Sequence, residues 1–413
     1  MDIQTLTRLV DQDAAVRRRQ VLQPVGGKGD KIFPPTYPPK DSNRRMNLPP
    51  THVYERRRLN GHEAWCALVD SPQAQANRLE QCLLEAIRDG TPIPYVVVDF
   101  SAARLEGIRE ITSLDAPHRV YDAILRDSML NGEPFMKSDV GRRLAKAKPE
   151  SASALLEVSP SALLFGAWHS TGEGGGVGAK FARCLVSEIV AVDVPVEEQL
   201  NQRTGEVDVR TAGRRTGSRI DPLGVLKKVE VFKGRKGWDT TASGAGDGAT
   251  KVRPSEINHG NIAPSVEPLG ITCDHAEHTF ALSFAALRRL RFGDARRDAA
   301  GRALLAALGL LAINEQDARG YALRSRCDLV CEGRAPIELV HPDGATETVS
   351  IDRSTARKLY GEAFEAAKSA GFALSAEPIR LAPQPKLITI VRQSQDLALA
   401  GEGGEDAEAA DEQ

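Results

Sequence analysis

The stretch from Ala64 to Gly90 constrains the fold more than any other. Trp65-Cys66-Ala67-Leu68-Val69 is a short apolar run, the pattern of a buried strand. Asp70-Ser71-Pro72 stops the run and opens a helix. A serine side chain at the cap accepts from a free N–H of the first turn, and proline suits the first helical position. Leu79, Cys82, Leu83, Ala86 and Ile87 recur at intervals of three and four, so one helix face is apolar, and Gly90 closes it. Tyr95-Val96-Val97-Val98-Asp99-Phe100 then reads as a second strand. A chain that runs strand, helix, strand in so few residues is expected to hold a sheet with a helix packed on it.

Elsewhere the same reading gives a mixed set of elements. Residues 1–20 are predicted to form one amphipathic helix, through Ile3, Leu6, Leu9, Val10 and Val16, with Arg17-Arg18-Arg19 at its end. Val21 to Pro50, rich in Pro, Gly and Lys, reads as a surface arm. Further helices are expected at 119–130, Ala299–Ile313 and 353–370. Strands are expected at Ala162–Trp168, Phe181–Val194, Tyr321–Val330 and Leu387–Val391, and Ile271–Leu287 as a strand entering a helix. Residues 131–150 form a connection, and the Gly/Ser/Asp-rich patch 239–250 is expected to be flexible. Because the gaps are long and irregular, the pattern implies one α+β sheet domain with insertions rather than a doubly wound nucleotide-binding fold.

Composition narrows the class. No run of roughly 18 apolar residues exists, so a membrane span is not expected. Met1-Asp2-Ile3-Gln4 lacks a basic segment followed by an apolar one, and the six cysteines are scattered among apolar runs. Both features fit a cytoplasmic protein with reduced thiols. The net charge of -2 conceals an asymmetry: the tail from Glu402 to Gln413 holds six of the 56 acids, leaving 50 against 54 bases. Arg203 to Lys236 carries ten Lys/Arg and four Asp/Glu, a density that either lies in solvent or faces a polyanion.

Several stretches carry candidate chemistry. With Leu79 at the centre of the apolar stripe, Gln75 falls about 40° away, Arg78 borders the stripe and Asn77 points outward. A helix start with free N–H groups is a place to hold an anion, and equally an ordinary capped core helix. Glu173-Gly174-Gly175-Gly176-Val177-Gly178 is neither a dinucleotide nor a Walker loop, since Phe181 follows Lys180. The Gly172–Gly178 loop instead suits close approach of a nucleic-acid backbone, with His169, Lys180 and Arg183 as donors, or a plain hairpin turn. Gly213-Arg214-Arg215-Thr216-Gly217-Ser218-Arg219 interleaves guanidinium groups with glycine, which favours phosphate contact. Cys273, Asp274, His275 and His278, with Cys327 and Cys331, lack zinc-finger spacing, so no metal or other cofactor is expected. Nothing singles out Asp99, Asp122, Asp127 or Asp139 for acid–base work, and no hydrolase, zincin or kinase motif occurs.

Together these stretches resemble a known family. S-P-Q-A-Q-A-N-R-L-E (71–80), H-R-V-Y-D-A-I-L-R-D-S (118–128), L-L-F-G-A-W-H-S-T-G (163–172) and V-S-E-I-V-A-V-D-V (186–194) run in order. G-R-R-T-G-S-R-I-D-P-L-G (213–224), S-E-I-N-H-G-N-I-A-P (255–264) and A-L-R-R-L-R-F (286–292) complete the set. The chain resembles the CRISPR-associated RAMP protein of type I-G (formerly I-U) systems, the backbone subunit of a Cascade surveillance complex. The resemblance implies a modified ferredoxin-like, RRM-related fold with thumb and web insertions. It implies an arm at 1–60, a RAMP domain at 61–400 with a basic insertion at about 200–255, and a disordered acidic tail at 401–413.

It also implies partners: CRISPR RNA held by its backbone, target DNA reached through guide pairing, further copies of the chain in a filament, and other Cascade subunits. Carried over, Ser71, Gln75, Asn77 and Arg78 would touch RNA. Arg18, Lys137, Arg142, Arg143, His169, Lys180, Arg183, Arg214, Arg215 and Arg219 are the further candidate contacts. No catalytic residue and no intrinsic cleavage are expected. The alternatives are a metal-dependent ribonuclease of the same superfamily and, more remotely, a nucleotide-binding enzyme using the glycine loop.

Overall fold

The computed structural model describes residues 1–38, 51–59, 61–169, 179–200, 207–211 and 214–399. The glycine loop 172–178 and the acidic tail 401–413 lie outside them. Among the described residues, no helix is long and apolar enough to cross a membrane. The architecture is mixed α+β with mainly antiparallel sheets. It divides into two compact units, each discontinuous in sequence, where one sheet domain was expected.

Unit 1 comprises Met1–Asp30, Leu68–Val192 and Asp274–Asp396. Residues 1–20 are not one helix. The helix Ile3–Gln12 is capped by Asp2, whose carboxylate accepts from Thr5 N–H at 2.8 Å, and it stops at Asp13. The strand Ala15–Pro24 follows, with Val16, Arg18, Gln20 and Leu22 turned inward. This strand pairs antiparallel with His275–Ser283, residue Ala15 opposite Ser283 and Leu22 opposite Ala276. His275–Ser283 in turn pairs antiparallel with Leu185–Val192. On the other side Ala15–Pro24 meets Asp328–Cys331 and Ile337–Val340. A second, smaller sheet joins Val96–Asp99 in parallel to Ile379–Pro383.

The helix Ala295–Arg319 lies against the main sheet and is buried at every residue from 301 to 316. Gly309 permits the approach: a Cβ there would sit 3.2 Å from both Leu185 and Leu282 side chains. The helices Ile3–Gln12, Pro72–Arg88 and Arg353–Ser369 pack around this central helix. Pro72–Arg88 is built as its sequence implies, with Ser71 Oγ accepting from Ala74 N–H at 3.2 Å and Leu79, Leu83 and Ala86 on the buried face.

Other stretches differ from expectation, among them the connection 131–150, which holds the helix Asp139–Ala145. Pro160–Phe165 is a fully buried helix rather than a strand, and only Ala167–Trp168 is extended. Pro385–Leu399 is a helix, and the last strand precedes it at Ile379–Pro383. The expected helix at 119–130 breaks into the 3-10 turn Arg119–Tyr121, the helix Ala123–Arg126 and the strand Ser128–Leu130. Tyr321–Val330 is interrupted, leaving Tyr321–Ala322 and Asp328–Cys331 as antiparallel partners.

A tight contact sets one local prediction. In the helix Asp139–Ala145 of unit 1, a Cβ on Gly141 would lie 2.1 Å from the Phe135 carbonyl oxygen, a backbone atom. Gly141→Ala should therefore destabilise the protein by roughly 1–3 kcal/mol, as overpacking does. A thermal melt unchanged by the substitution would contradict that contact.

Unit 2 gathers Lys31–Ala67, Asp193–Cys273 and the chain from Leu397. It is made of small antiparallel ladders: Tyr54–Leu59 with the start of His62–Asp70, Glu197–Leu200 with Val207–Arg210, and Arg214–Thr216 with Ser265–Glu267. Val231–Gly234 pairs with both Gly237–Asp239 and Thr250–Val252. The patch 239–250, expected to be flexible, closes a short helix, Ala242–Ala245, capped by the Thr241 hydroxyl, which accepts from Gly244 N–H at 3.1 Å.

Candidate nucleic-acid interface

The helix start at Ser71 adjoins a chain of buried polar groups, all within unit 1. Gln75 is fully buried and donates through Nε2 to the Asp70 carboxylate at 2.7 Å. Its Oε1 accepts from Gln316 Nε2 at 3.1 Å and lies 2.9 Å from Ser187 Oγ. Ser187 Oγ is 2.7 Å from His278 Nε2, and His278 Nδ1 is 3.1 Å from the Tyr321 hydroxyl. Tyr321 donates to Asp317 at 2.8 Å, and Asp317 accepts both Arg18 terminal nitrogens at 2.5 and 2.7 Å.

This chain fixes the protonation pattern. Burial first, then the Arg18 charge, lowers the His278 pKa to about 3, so the imidazole is neutral. The Tyr321 hydrogen goes to Asp317 and the Ser187 hydrogen to Gln75 Oε1, so both hydroxyl oxygens are left to accept from His278, whose neutral ring has one N–H to give. Burial pulls the Arg18 pKa down, but the hydrogen bonds and charge of Asp317 outweigh it and the net direction is up. Asp317 is pushed up by burial and held below its ordinary value by Arg18.

Two candidate contacts are thereby corrected. Gln75 does not face an external anion; it sits inside the unit, with an internal carboxylate as its partner. Arg18 does not end a helix near solvent; it is 1 % exposed on a central strand and neutralised by Asp317. Arg78 is half-buried, donating to Asp70 at 2.9 Å and to the Leu323 carbonyl at 2.6 Å. Ser71 serves its own helix, while Asn77 is exposed as the wheel indicated.

The stretch around the glycine loop presents a different chemistry. Ala167–Trp168 pairs antiparallel with Lys180–Phe181, so the two strands bracket the loop. Gly166 makes the turn from helix to strand: its φ is +86°, and a Cβ would lie 3.0 Å from the Phe181 carbonyl oxygen. Trp168 is 53 % exposed, and the Lys180 ammonium sits 4.6 Å from its ring centroid. His169 stacks on Tyr121 with ring centroids 4.8 Å apart and planes 12° from parallel. Burial first, then the Arg126 charge, lowers the His169 pKa. Arg183 donates to the Phe165 carbonyl at 3.2 Å. His169, Lys180 and Arg183 thus each meet a different neighbour: the Tyr121 ring, the Trp168 ring and the Phe165 carbonyl. Trp168 was missed, although an aromatic between a glycine loop and basic residues is the usual composition of a base-stacking surface.

The remaining candidates are scattered. Lys137, Arg142 and Arg143 are exposed around the start of Asp139–Ala145, and Arg143 pairs with Glu157 at 3.0 Å. Arg214 and Arg215 lie on the unit 2 strand Arg214–Thr216, with their side chains outside the described residues. Arg219 is half-buried and bridges Ile262 through its backbone at 3.1 and 2.9 Å. Among the described residues, no group of three or more His, Cys, Asp or Glu side chains could hold a metal ion.

Comparison with known proteins finds a family match over part of the sequence. No curated protein matches the chain significantly. The crystal structure of Thermofilum pendens Csc2 overlaps 96% of this chain and 80% of its own, at 9% identity and a TM-score of 0.27, too low to carry an argument. Residues 16–196, less than half of the chain, match the family described as CRISPR-associated protein GSU0053.

Proposed function

We propose that this chain is a CRISPR RNA-binding backbone subunit of a type I-G Cascade complex, built on a RAMP-type fold. Copies polymerise along the guide RNA and leave its bases free to pair with target DNA. The carrying observation is the exposed Trp168 ring with the Lys180 ammonium over it, at the foot of a glycine-rich loop. An exposed ring stacks any base, and an adjacent cation meets the phosphate beside it. The family match over residues 16–196 supports the reading, because it contains this hairpin and carries a CRISPR-associated description. In this reading Asn77, Arg78, Lys137, Arg142, Arg143, His169, Arg183, Arg214, Arg215 and Arg219 remain candidate contacts. Arg18 and Gln75 are structural, and the subunit itself cleaves nothing.

The test is co-expression with a CRISPR array. The expected product is a large ribonucleoprotein holding RNA of uniform length. Trp168→Ala should weaken single-stranded RNA binding by about 1–3 kcal/mol, roughly five- to 160-fold, as removal of a stacking partner does. Lys180→Ala should lower the salt dependence by about one phosphate. Unchanged affinity and salt slope in both variants would remove the hairpin from the interface. Sustained cleavage of labelled RNA with divalent metal, abolished by one Asp or His substitution, would favour a ribonuclease instead.

A further inference from the structure

We infer that the buried ion pair between Glu80 and Arg119 is a positioning device for the hairpin that carries Trp168. It holds the exposed ring in one place, ready for a base to stack on it. The inference rests on the reading of that hairpin as part of a nucleic-acid interface.

Arg119 reaches in two directions, all within unit 1. Its Nε and one terminal nitrogen donate to the two Glu80 carboxylate oxygens at 2.8 and 2.7 Å, so the helix Pro72–Arg88 holds the guanidinium as a fork. The other terminal nitrogen donates to the Gly166 carbonyl at 2.9 Å, where the chain turns into Ala167–Trp168. Two residues after Arg119, the Tyr121 ring stacks on His169, and the Tyr121 hydroxyl is tied to the Leu144 carbonyl at 2.9 Å. The single turn Arg119–Tyr121 therefore grips residues 166 and 169, on either side of Trp168. With 53 % of its surface in solvent, Trp168 has little packing of its own to hold it.

Stability alone does not account for the pair. The Glu80 side chain is 1 % exposed and that of Arg119 9 %. Burial pushes the Glu80 pKa up, the Arg119 charge and hydrogen bonds recover only part of that, and the net direction is up. An apolar pair of the same volume often does as well as a buried ion pair or better. Arg119 adds a second cost, because its φ of +55° lies in the left-handed region that residues with a long side chain rarely adopt. Burial and backbone strain thus meet at one residue whose side chain ends on the hairpin, and strain of this kind gathers at functional positions. The gain is preorganisation: a ring already ordered loses less freedom when a base binds.

Fluorine NMR of the full chain labelled with fluorotryptophan reads the ring directly, since Trp168→Phe identifies its resonance among the three tryptophans. Glu80→Leu together with Arg119→Met removes both charges at similar volume, so the thermal melt should stay close to native. The Trp168 resonance should nevertheless shift or broaden. Single-stranded RNA affinity should fall roughly two- to tenfold, the penalty for ordering one loosened side chain on binding. A purely stabilising pair predicts instead that resonance and affinity recover together with the melt. If the double variant does not fold, Arg119→Lys carries the same test: it keeps a charge beside Glu80, but one ammonium cannot replace the fork that also reaches Gly166. An unmoved resonance in a folded variant would overturn the assignment, as would native RNA affinity where Trp168→Ala does weaken binding. If Trp168→Ala itself leaves RNA affinity unchanged, the hairpin reading fails, and the resonance alone decides whether the pair positions the ring.

Discussion

Replacing Arg18 by alanine is expected to cost about 3–5 kcal/mol of stability, the scale for removing one partner of a buried ion pair. The Arg18 side chain is 1 % exposed, bonds Asp317 through two nitrogens and lies with its guanidinium carbon 5.4 Å from the Phe280 ring centroid. Truncation leaves the Asp317 carboxylate, itself 10 % exposed, with the more exposed and more distant Arg334 guanidinium, 3.7 Å away, as a weaker counter-charge. Urea denaturation of both proteins measures the difference. Changing Arg18 to Met together with Asp317 to Leu should recover much of it, because a well-packed apolar pair can replace a buried salt bridge. A mild single variant with weakened RNA binding would instead mean that Arg18 reaches the surface, as its basic sequence context suggested.

The second large effect is acid lability centred on His278. Burial and Arg18 hold its folded pKa at about 3 against an ordinary 6.5, so between those values the unfolded chain takes up a proton that the folded protein refuses. Stability from this group is therefore complete above about pH 6.5 and is lost as pH falls toward 3. At 1.36 kcal/mol per unit the full window amounts to roughly 5 kcal/mol, and pH 4.5 should already show somewhat more than half of it. Carboxylates such as Asp317 and Glu315, with lowered pKa values, lose stability in the same direction. The measurement is accordingly a difference. His278→Gln keeps a polar amide between Tyr321 and Ser187 but cannot titrate. Its stability should fall less steeply between pH 6.5 and 4.5 than that of the native protein. Identical slopes would mean that His278 protonates freely in the folded state.

The same two residues show where the sequence could be read and where it could not. Pro72–Arg88 and Arg353–Ser369 were legible from apolar periodicity, and the central part of Ala295–Arg319, read as Ala299–Ile313, from its long apolar run. The strand Ala15–Pro24 was not, because Arg18 and Gln20 occupy two inward positions and spoil the apolar alternation. Pro160–Phe165 is too short for a period of 3.6 to be told from a buried strand. The helical wheel placed Gln75 near the buried stripe but could not say what lies across from it. Its partner, Asp70, lies five residues earlier at the end of the preceding strand, while Ser187 and His278 arrive from strands far along the chain. The division into units was invisible for the same reason, since Lys31–Ala67 finds its companions in Asp193–Cys273.

That division bears on how the chain is made. The strand Ala15–Pro24 leaves the ribosome early, yet its partners are His275–Ser283, Asp328–Cys331 and Ile337–Val340. During most of synthesis it has no neighbour to zip against, and Val16 and Leu22 wait uncovered. Sheets closed by such distant pairings form late and are exposed to aggregation until they do. A nascent chain stalled before residue 275 would present a sticky, half-built sheet, whereas one extended past 340 holds every strand that pairs with Ala15–Pro24. Slow translation or chaperone capture over that interval becomes, for this topology, a condition of yield.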